Sequence, residues 1–218
     1  MKRILLLAAL LLSMTVTAQS DKCTYQPNGR NTFFILEPGY QLTLKGKEDN
    51  EEVVLVITVL NETKKVGGIE TRVVEENESV NGKTVEISRN YFAVCKETKD
   101  VYYFGEDVDI YKDGKIVGHE GSWLAEGGIN KPGIAMQGKI VIGSKYLQEV
   151  APGVAMDKGE IVSDKETMNA PAGNFTNCLK VKETNALKPG EKEYKFYAPN
   201  VGLIKDDKLT LVKYGFKS

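Results

Sequence analysis

Side chains that commonly carry catalysis are scarce in this sequence. The 218-residue chain contains one histidine, one tryptophan and three cysteines. Histidine is the commonest general base at neutral pH, so a single copy, His119, disfavours hydrolases that need such a base. No G-x-S-x-G or HExxH motif is present, and no glycine-rich phosphate loop joins a strand to a helix. The sequence therefore favours a non-catalytic protein without a cofactor. A carboxylate-dependent hydrolase stays open because acidic residues are plentiful.

The sequence also lacks a block of charge of one sign and a long apolar run. Beyond residue 18 the chain has 27 basic and 30 acidic residues. Binding to nucleic acid needs a basic stripe, and no such stripe occurs, so nucleic acid is not an expected partner. The one extended apolar run, residues 4–12, is too short to span a bilayer.

The first 18 residues have the organisation of a secretory signal peptide. Lys2 and Arg3 precede the apolar run, and residues 16–18 (VTA) fit the small-residue rule for cleavage. We therefore expect a mature chain of residues 19–218, secreted or periplasmic, with no transmembrane segment after cleavage. Whether it is membrane-anchored stays open.

The three cysteines, Cys23, Cys95 and Cys178, allow one disulfide and one free thiol in an oxidising compartment. Their spacing leaves three pairings open, and so does a fully reduced state. Because no CxxC motif occurs, a redox motif or a zinc knuckle is not supported.

Helical periodicity is absent beyond the signal sequence, and short β-branched or alternating runs take its place. The predicted strands include EVVLVITVL, IETRVV, KTVEISRNYFAV, DVYYFG, GKIVIG, NCLKVKE, EYKFYA and KLTLVKYGF. Turn signals such as Asn81-Gly82 and Asp113-Gly114 separate them. Short strands at regular spacing predict an all-β fold with antiparallel strands, as a curved sheet, barrel or sandwich.

The two halves of the mature chain resemble each other in pattern. Residues 40–116 and 138–216 each give strands with matching turns, joined by an irregular linker at 117–137. Tyr91-Phe92 aligns with Phe196-Tyr197. This predicts a single domain of two related meanders, which either face each other or continue as one curved sheet.

Two similar phrases, PGVAM at 152–156 and PNVGL at 199–203, follow predicted strands. We expect them to be corners between strands. Gly153 and Asn200 can adopt positive φ, and Val154 and Val201 would then point inward.

Aromatic residues recur at the ends of the predicted strands. We expect a small apolar or amphipathic ligand to bind between the two halves, and the candidate ligand-binding residues are Tyr91, Phe92, Tyr103, Trp123, Phe196 and Tyr197. Ordinary core packing is the alternative for these side chains. The alternative function is a structural or protein-interaction module of the cell envelope, with an envelope protein as partner.

One stretch, DIYKDGKIVGHE at 109–120, matches part of a calcium-binding loop. The candidate metal ligands are Asp109, Asp113 and Glu120. The flanks are predicted strands where the motif needs helices, and Asp113-Gly114 is also a strong signal for a two-residue hairpin turn.

Longer stretches carry a resemblance to a protein family. YYFGEDVDIYKDGKIVGHEGSW, PGIAMQGKIVIGSKYLQEVAPGVAMDKGEI and PAGNFTNCLKVKET resemble segments of secreted or lipid-anchored bacterial envelope proteins of uncharacterised function. More distantly, the last stretch is similar to half-barrel proteins related to lipoprotein carriers. The resemblance implies an envelope location and a β-rich fold, and it implies no chemistry.

Overall fold

The computed structural model describes residues 23–217, and these residues form strands joined by turns, with no helix among them. The predicted signal peptide and its cleavage site lie outside the described residues. The strands in chain order are β1 Tyr25–Gln26, β2 Gly29–Asn31, β3 Phe34–Leu36, β4 Tyr40–Glu48, β5 Glu51–Val66, β6 Ile69–Val80, β7 Lys83–Cys95, β8 Val101–Lys112, β9 Lys115–Gly118, β10 Trp123–Leu124, β11 Lys131–Met136, β12 Lys145–Leu147, β13 Glu149–Val150, β14 Asp157–Ala170, β15 Gly173–Asn185, β16 Glu193–Ala198, β17 Gly202–Asp206 and β18 Leu209–Phe216.

Most strands belong to one antiparallel sheet that curls into a nearly closed barrel. Its order is β12-β14-β15-β16-β17-β18-β4-β5-β6-β7-β8-β11-β13, with β1, β9 and β10 attached at the side. The two edge strands of this path, β12 and β13, are consecutive in the chain and are separated by Gln148 alone. The prediction of an all-β fold with antiparallel strands is confirmed.

Two runs of five hairpin-connected strands make up most of the barrel wall. The first run is β4 to β8 and the second is β14 to β18, and β18 pairs with β4 to join them. The predicted halves therefore continue as one curved sheet. The origin of the halves by duplication stays a prediction.

The barrel interior is set by strand alternation. Directly opposed residues of antiparallel strands share a face. Val59 lies opposite Val74, and Ile57 lies opposite Glu76. Leu42, on β4, lies opposite Ile57 in turn. The row of side chains formed by Leu42, Ile57 and Glu76 therefore changes from apolar to acidic across neighbouring strands.

The segment before β4 closes one end of the barrel. The β2–β3 hairpin packs beside the loops that follow β7 and β16. Asn31 donates from Nδ2 to the carbonyl oxygens of Lys99 and Gln137, both at 2.9 Å. The backbone nitrogen of Asn200 donates to the carbonyl of Thr32 at 2.7 Å. We call residues 29–36 the plug.

The cysteine pairing left open by the sequence is Cys23–Cys95, and Cys178 is free and buried. The disulfide fixes the start of the described chain to the end of β7, beside the pairing of β1 with β7. It therefore ties down the segment that leads into the plug.

Three local predictions need correction. The stretch GKIVIG forms no strand, and Val141 and Ile142 are exposed there. The expected irregular linker contains β11, which pairs with β8 and β13 because its backbone groups find partners on both sides. The segments 152–156 and 199–203 are corners, with positive φ at Gly153 and Asn200 as predicted. Of the two valines expected to point inward, only Val201 is buried, since Val154 is 46% exposed.

No helix long and apolar enough for a membrane crossing occurs among residues 23–217.

Candidate functional site

The barrel encloses a cavity of about 420 Å³. Both five-strand runs contribute to its wall, so the cavity lies between the two predicted halves. Its apolar side lies against the plug and consists of aliphatic and aromatic side chains, namely Phe33, Phe34, Ile35, Leu42, Ile57, Val59, Val74, Phe92, Ala135, Val201 and Leu203.

The other side of the cavity is acidic. Eight carboxyl groups line it: Glu76, Glu86, Glu106, Glu149, Asp157, Glu183, Glu193 and Asp206. Lys195 is the one basic side chain that the described residues place in this lining. Such an excess of negative charge is expensive to bury without a compensating cation.

The strand registers explain how these acids come together. Glu76 of β6 lies opposite Ser88 of β7, and Glu106 of β8 lies opposite Asn90 on the same strand β7. Across the barrel, Lys195 of β16 lies opposite Asp206 of β17. Residues distant in the chain thus share one interior face.

Lys195 neutralises part of this cluster. Its Nζ lies 3.1 Å from Oε2 of Glu183 and 3.5 Å from Oδ2 of Asp206. Gln148 donates from Nε2 to Oε1 of Glu183 at 2.7 Å. Burial opposes the charge on Lys195, yet Glu183 and Asp206 hold its pKa well above the usual value. Lys195 is therefore a cation at neutral pH.

Two further acids of the lining, Glu76 and Glu106, have raised pKa values. Burial raises the pKa of Glu76 to about 7, with a smaller contribution from the carboxylates of Asp206 and Glu86 and against the opposing charge of Lys195. Burial also raises the pKa of Glu106 to about 7, and the charge of Glu76 contributes. In both cases the carboxyl group keeps its proton well above the usual pKa of about 4.3.

Glu149 and Asp157 form a carboxyl pair. Burial, together with the hydrogen bond and the charge of Asp157, raises the pKa of Glu149 to about 9. The amide of Asn185 donates to Oδ2 of Asp157 at 3.3 Å. The two carboxyl groups are in hydrogen-bond contact. They are closer than the about 5 Å or more that separates a glycosidase acid and its nucleophile.

One hydroxyl group at the acidic side has no partner. Tyr146 is 8% exposed, and its hydroxyl makes no hydrogen bond within the described part of the chain. Tyr146 lies opposite Gly159, and its ring covers that glycine. Gly159 lies opposite Glu183 on β15, so Tyr146 lies two strands away from Glu183 in the same row of the sheet. Oε1 of Gln148 is likewise without a donor.

A smaller cavity of about 220 Å³ continues the acidic side. It shares Glu76, Glu86 and Asp206 with the main cavity. The exposed side chains of Glu48 and Asp207 also line it, so it reaches the surface beside the turns that follow β4 and β17. The acidic side therefore faces the barrel end opposite the plug.

The predicted aromatic residues fall on both faces of the sheet. Phe92, Tyr103 and Tyr197 line the cavity. The rings of Phe92 and Tyr103 stack with centroids 4.7 Å apart. Trp123 packs against Tyr103 in an edge-to-face contact, at 5.4 Å between centroids, and lies opposite Glu106.

Tyr91 and Phe196 lie on the outer face of the barrel. Nζ of Lys64 lies 4.4 Å from the ring centroid of Tyr91. Lys180 and Lys205 cover Phe196 at 5.4 and 5.7 Å. In both aligned aromatic pairs the first ring thus faces outward and the second inward, as strand alternation requires.

The candidate calcium ligands lie in a β-hairpin. Asp113 and Gly114 form the turn between β8 and β9, both with positive φ. The carboxylate of Asp109 is paired with Nη1 of Arg89 at 3.1 Å, and its other oxygen lies 3.0 Å from Nδ1 of His119. The strands on both sides replace the helices that a calcium-binding EF-hand needs.

Sequence reasoning missed the interior acids. In EENESV, at 75–80, acidic residues occupy both faces of β6, so no alternation marks Glu76 as inward. The only local signal is that Glu76 and Glu78 follow Val74 at a spacing of two residues, which places the three side chains on the same face of β6. Which face is interior depends on barrel closure, which is a long-range property.

Comparison with protein-family models, curated proteins and solved structures finds no significant match to this chain.

Proposed function

We propose that the protein is a non-catalytic secreted or periplasmic protein of the bacterial envelope that holds a small amphipathic ligand inside its barrel. The observation that carries this proposal is the interior cavity of about 420 Å³, with an apolar side at the plug and an acidic side at the other end. Cavities of about 300–1,000 Å³ with apolar walls and a few polar groups are typical ligand sites.

Because the cavity has one apolar side and one acidic side, it favours an amphipathic ligand over a purely apolar one. A purely apolar molecule would fill the plug side, where Ile57, Val59 and Phe92 lie, and would leave the carboxyl groups desolvated without partners. An amphipathic molecule with its polar end toward Glu76 would provide partners for both sides.

The proposed location rests on the N-terminal segment and on the disulfide. Residues 1–18 have the pattern of a signal peptide. The Cys23–Cys95 bond is compatible with an oxidising compartment.

Native mass spectrometry of the protein purified from its envelope fraction, followed by solvent extraction, tests this function. We expect a bound small molecule that solvent extraction releases. Ala135→Phe, which narrows the cavity, should abolish its retention, whereas Val162→Phe on the exposed face of β14 should not.

Near-ultraviolet circular dichroism verifies that each variant is folded, and Leu203→Phe provides a second narrowed cavity. The proposal is wrong if the folded narrowed variants retain the same molecule as the parent protein.

A further inference from the structure

The acidic side of the cavity holds more carboxyl groups than its own cation can balance. Lys195 is bonded to Glu183 and Asp206. Glu76, Glu106, Glu149 and Asp157 line the same cavity without a basic side chain among the described lining residues. An additional cation would compensate the negative charge that these groups carry when they ionise.

The arrangement of acceptors points to an organic cation. Gln148, which lines the cavity, has an unpartnered Oε1, and Tyr146, nine-tenths buried, has an unpartnered hydroxyl in the same row of the sheet as Glu183. An ammonium group carries three hydrogen-bond donors and no acceptor, so it complements carboxylate, hydroxyl and amide oxygens together.

A compact metal ion fits this set less well. Within residues 23–217, the one group of three potential ligands whose atoms converge is Cys23, Cys95 and Glu97, and the two sulfur atoms there are bonded to each other. The cavity carboxyl groups are distributed around the wall instead. Hard divalent cations need six or more oxygen atoms drawn tightly together.

We propose that the ligand is a primary alkylamine, whose ammonium group binds among Glu76, Glu106 and Glu149 while its apolar chain lies against Phe92 and Ile57. This inference rests on the proposed function, because it names the class of ligand for the same cavity.

Isothermal titration calorimetry at pH 8 with octylamine, octan-1-ol and octanoate tests the inference. At this pH octylamine is still charged, and burial has raised the pKa of Glu76 and Glu106 only to about 7, so both are ionised. We expect octylamine to bind at least about tenfold more tightly than octan-1-ol, and octanoate to bind least.

Variants locate the ammonium group. Glu76→Gln and Glu106→Gln should each weaken octylamine binding about tenfold and leave octan-1-ol binding within about twofold, which corresponds to the loss of one charge-assisted contact. Glu62→Gln, on an exposed residue outside the cavity, should change neither affinity.

The outcomes separate the two proposals. Octan-1-ol binding as tightly as octylamine overturns the ammonium site and leaves an amphipathic cavity. Binding of none of the three probes to the folded protein overturns both. Because each carboxamide variant is tested with the neutral probe as well, a misfolded variant is recognised by loss of octan-1-ol binding.

Discussion

At the scale of single residues, Lys195 supplies the positive charge that stabilises the acidic side of the cavity. Its ammonium group lies between Glu183 and Asp206, and all three side chains are at most 26% exposed. Removing one member of a buried charged group leaves the others without compensation. The chain offers a matched comparison in Lys182, which pairs with Glu160 on the outer face.

We expect Lys195→Met to lower the free energy of unfolding by about 1–3 kcal/mol, because Glu183 and Asp206 would lose their partner. Lys182→Met should lower it by less, since Lys182 and Glu160 lie on the solvent side of the sheet, where water can solvate the partner that remains. Urea denaturation at pH 7 measures both. Equal losses in the two variants would contradict the role given to Lys195.

The sequence predicts the positions of the strands but not the side chains that face inward. Phe92 and Tyr197 were identified because aromatic residues end their strands, and both line the cavity. Glu76 and Glu106 were missed because acidic residues occur on both faces of β6 and β8. When both faces of a strand carry acidic residues, the local sequence pattern does not show which face will be interior. That choice depends on how the sheet closes into a barrel.

At the scale of elements, the barrel closes where β11 meets β13. A Cβ on Gly133 of β11 would overlap the backbone carbonyl of Gln148, which lies between the two edge strands. The sequence predicted an irregular linker over residues 117–137, which include Pro132 and Gly133. The strand forms nonetheless, since glycine permits the close backbone approach that pairing of β11 with β13 requires.

We therefore expect Gly133→Ala to lower the free energy of unfolding by about 1–3 kcal/mol through overlap at the seam. Gly118→Ala is the control, because a Cβ there meets only the flexible, exposed end of the Glu120 side chain. Both changes reduce the entropy of the unfolded chain equally. Thermal unfolding compares the stabilities of the two variants. A Gly133→Ala protein as stable as Gly118→Ala would argue against a close backbone contact between Gly133 and Gln148.

At the scale of the whole molecule, the buried acids control how stability depends on pH. Burial raises the pKa of Glu76 and Glu106 to about 7 and that of Glu149 to about 9, against about 4.3 in an unfolded chain. Between these values the folded protein binds more protons than the unfolded protein. The free energy of unfolding therefore falls as pH rises from about 4.5 through 7 and on toward 9.

We expect the ligand-free protein to be most stable near pH 5 and to lose a few kcal/mol by pH 8. The combined variant Glu76→Gln, Glu106→Gln, Glu149→Gln should flatten this profile, and Glu62→Gln should not. Urea denaturation at a series of pH values measures it. Stability that rises from pH 5 to pH 8 in the ligand-free protein would show that these carboxyl groups are not desolvated.

The central claim is that the barrel interior receives an amphipathic cation with its charged end opposite the plug. A crystal structure with 8-bromooctan-1-amine tests it most directly, because the anomalous signal of bromine marks the apolar end of the probe. We predict the bromine beside Phe34 and Phe92, at the plug, and the nitrogen within hydrogen-bond distance of Glu76, Glu106 or Glu149. Bromine at the acidic end, or probe bound only on the outer surface, would contradict the account.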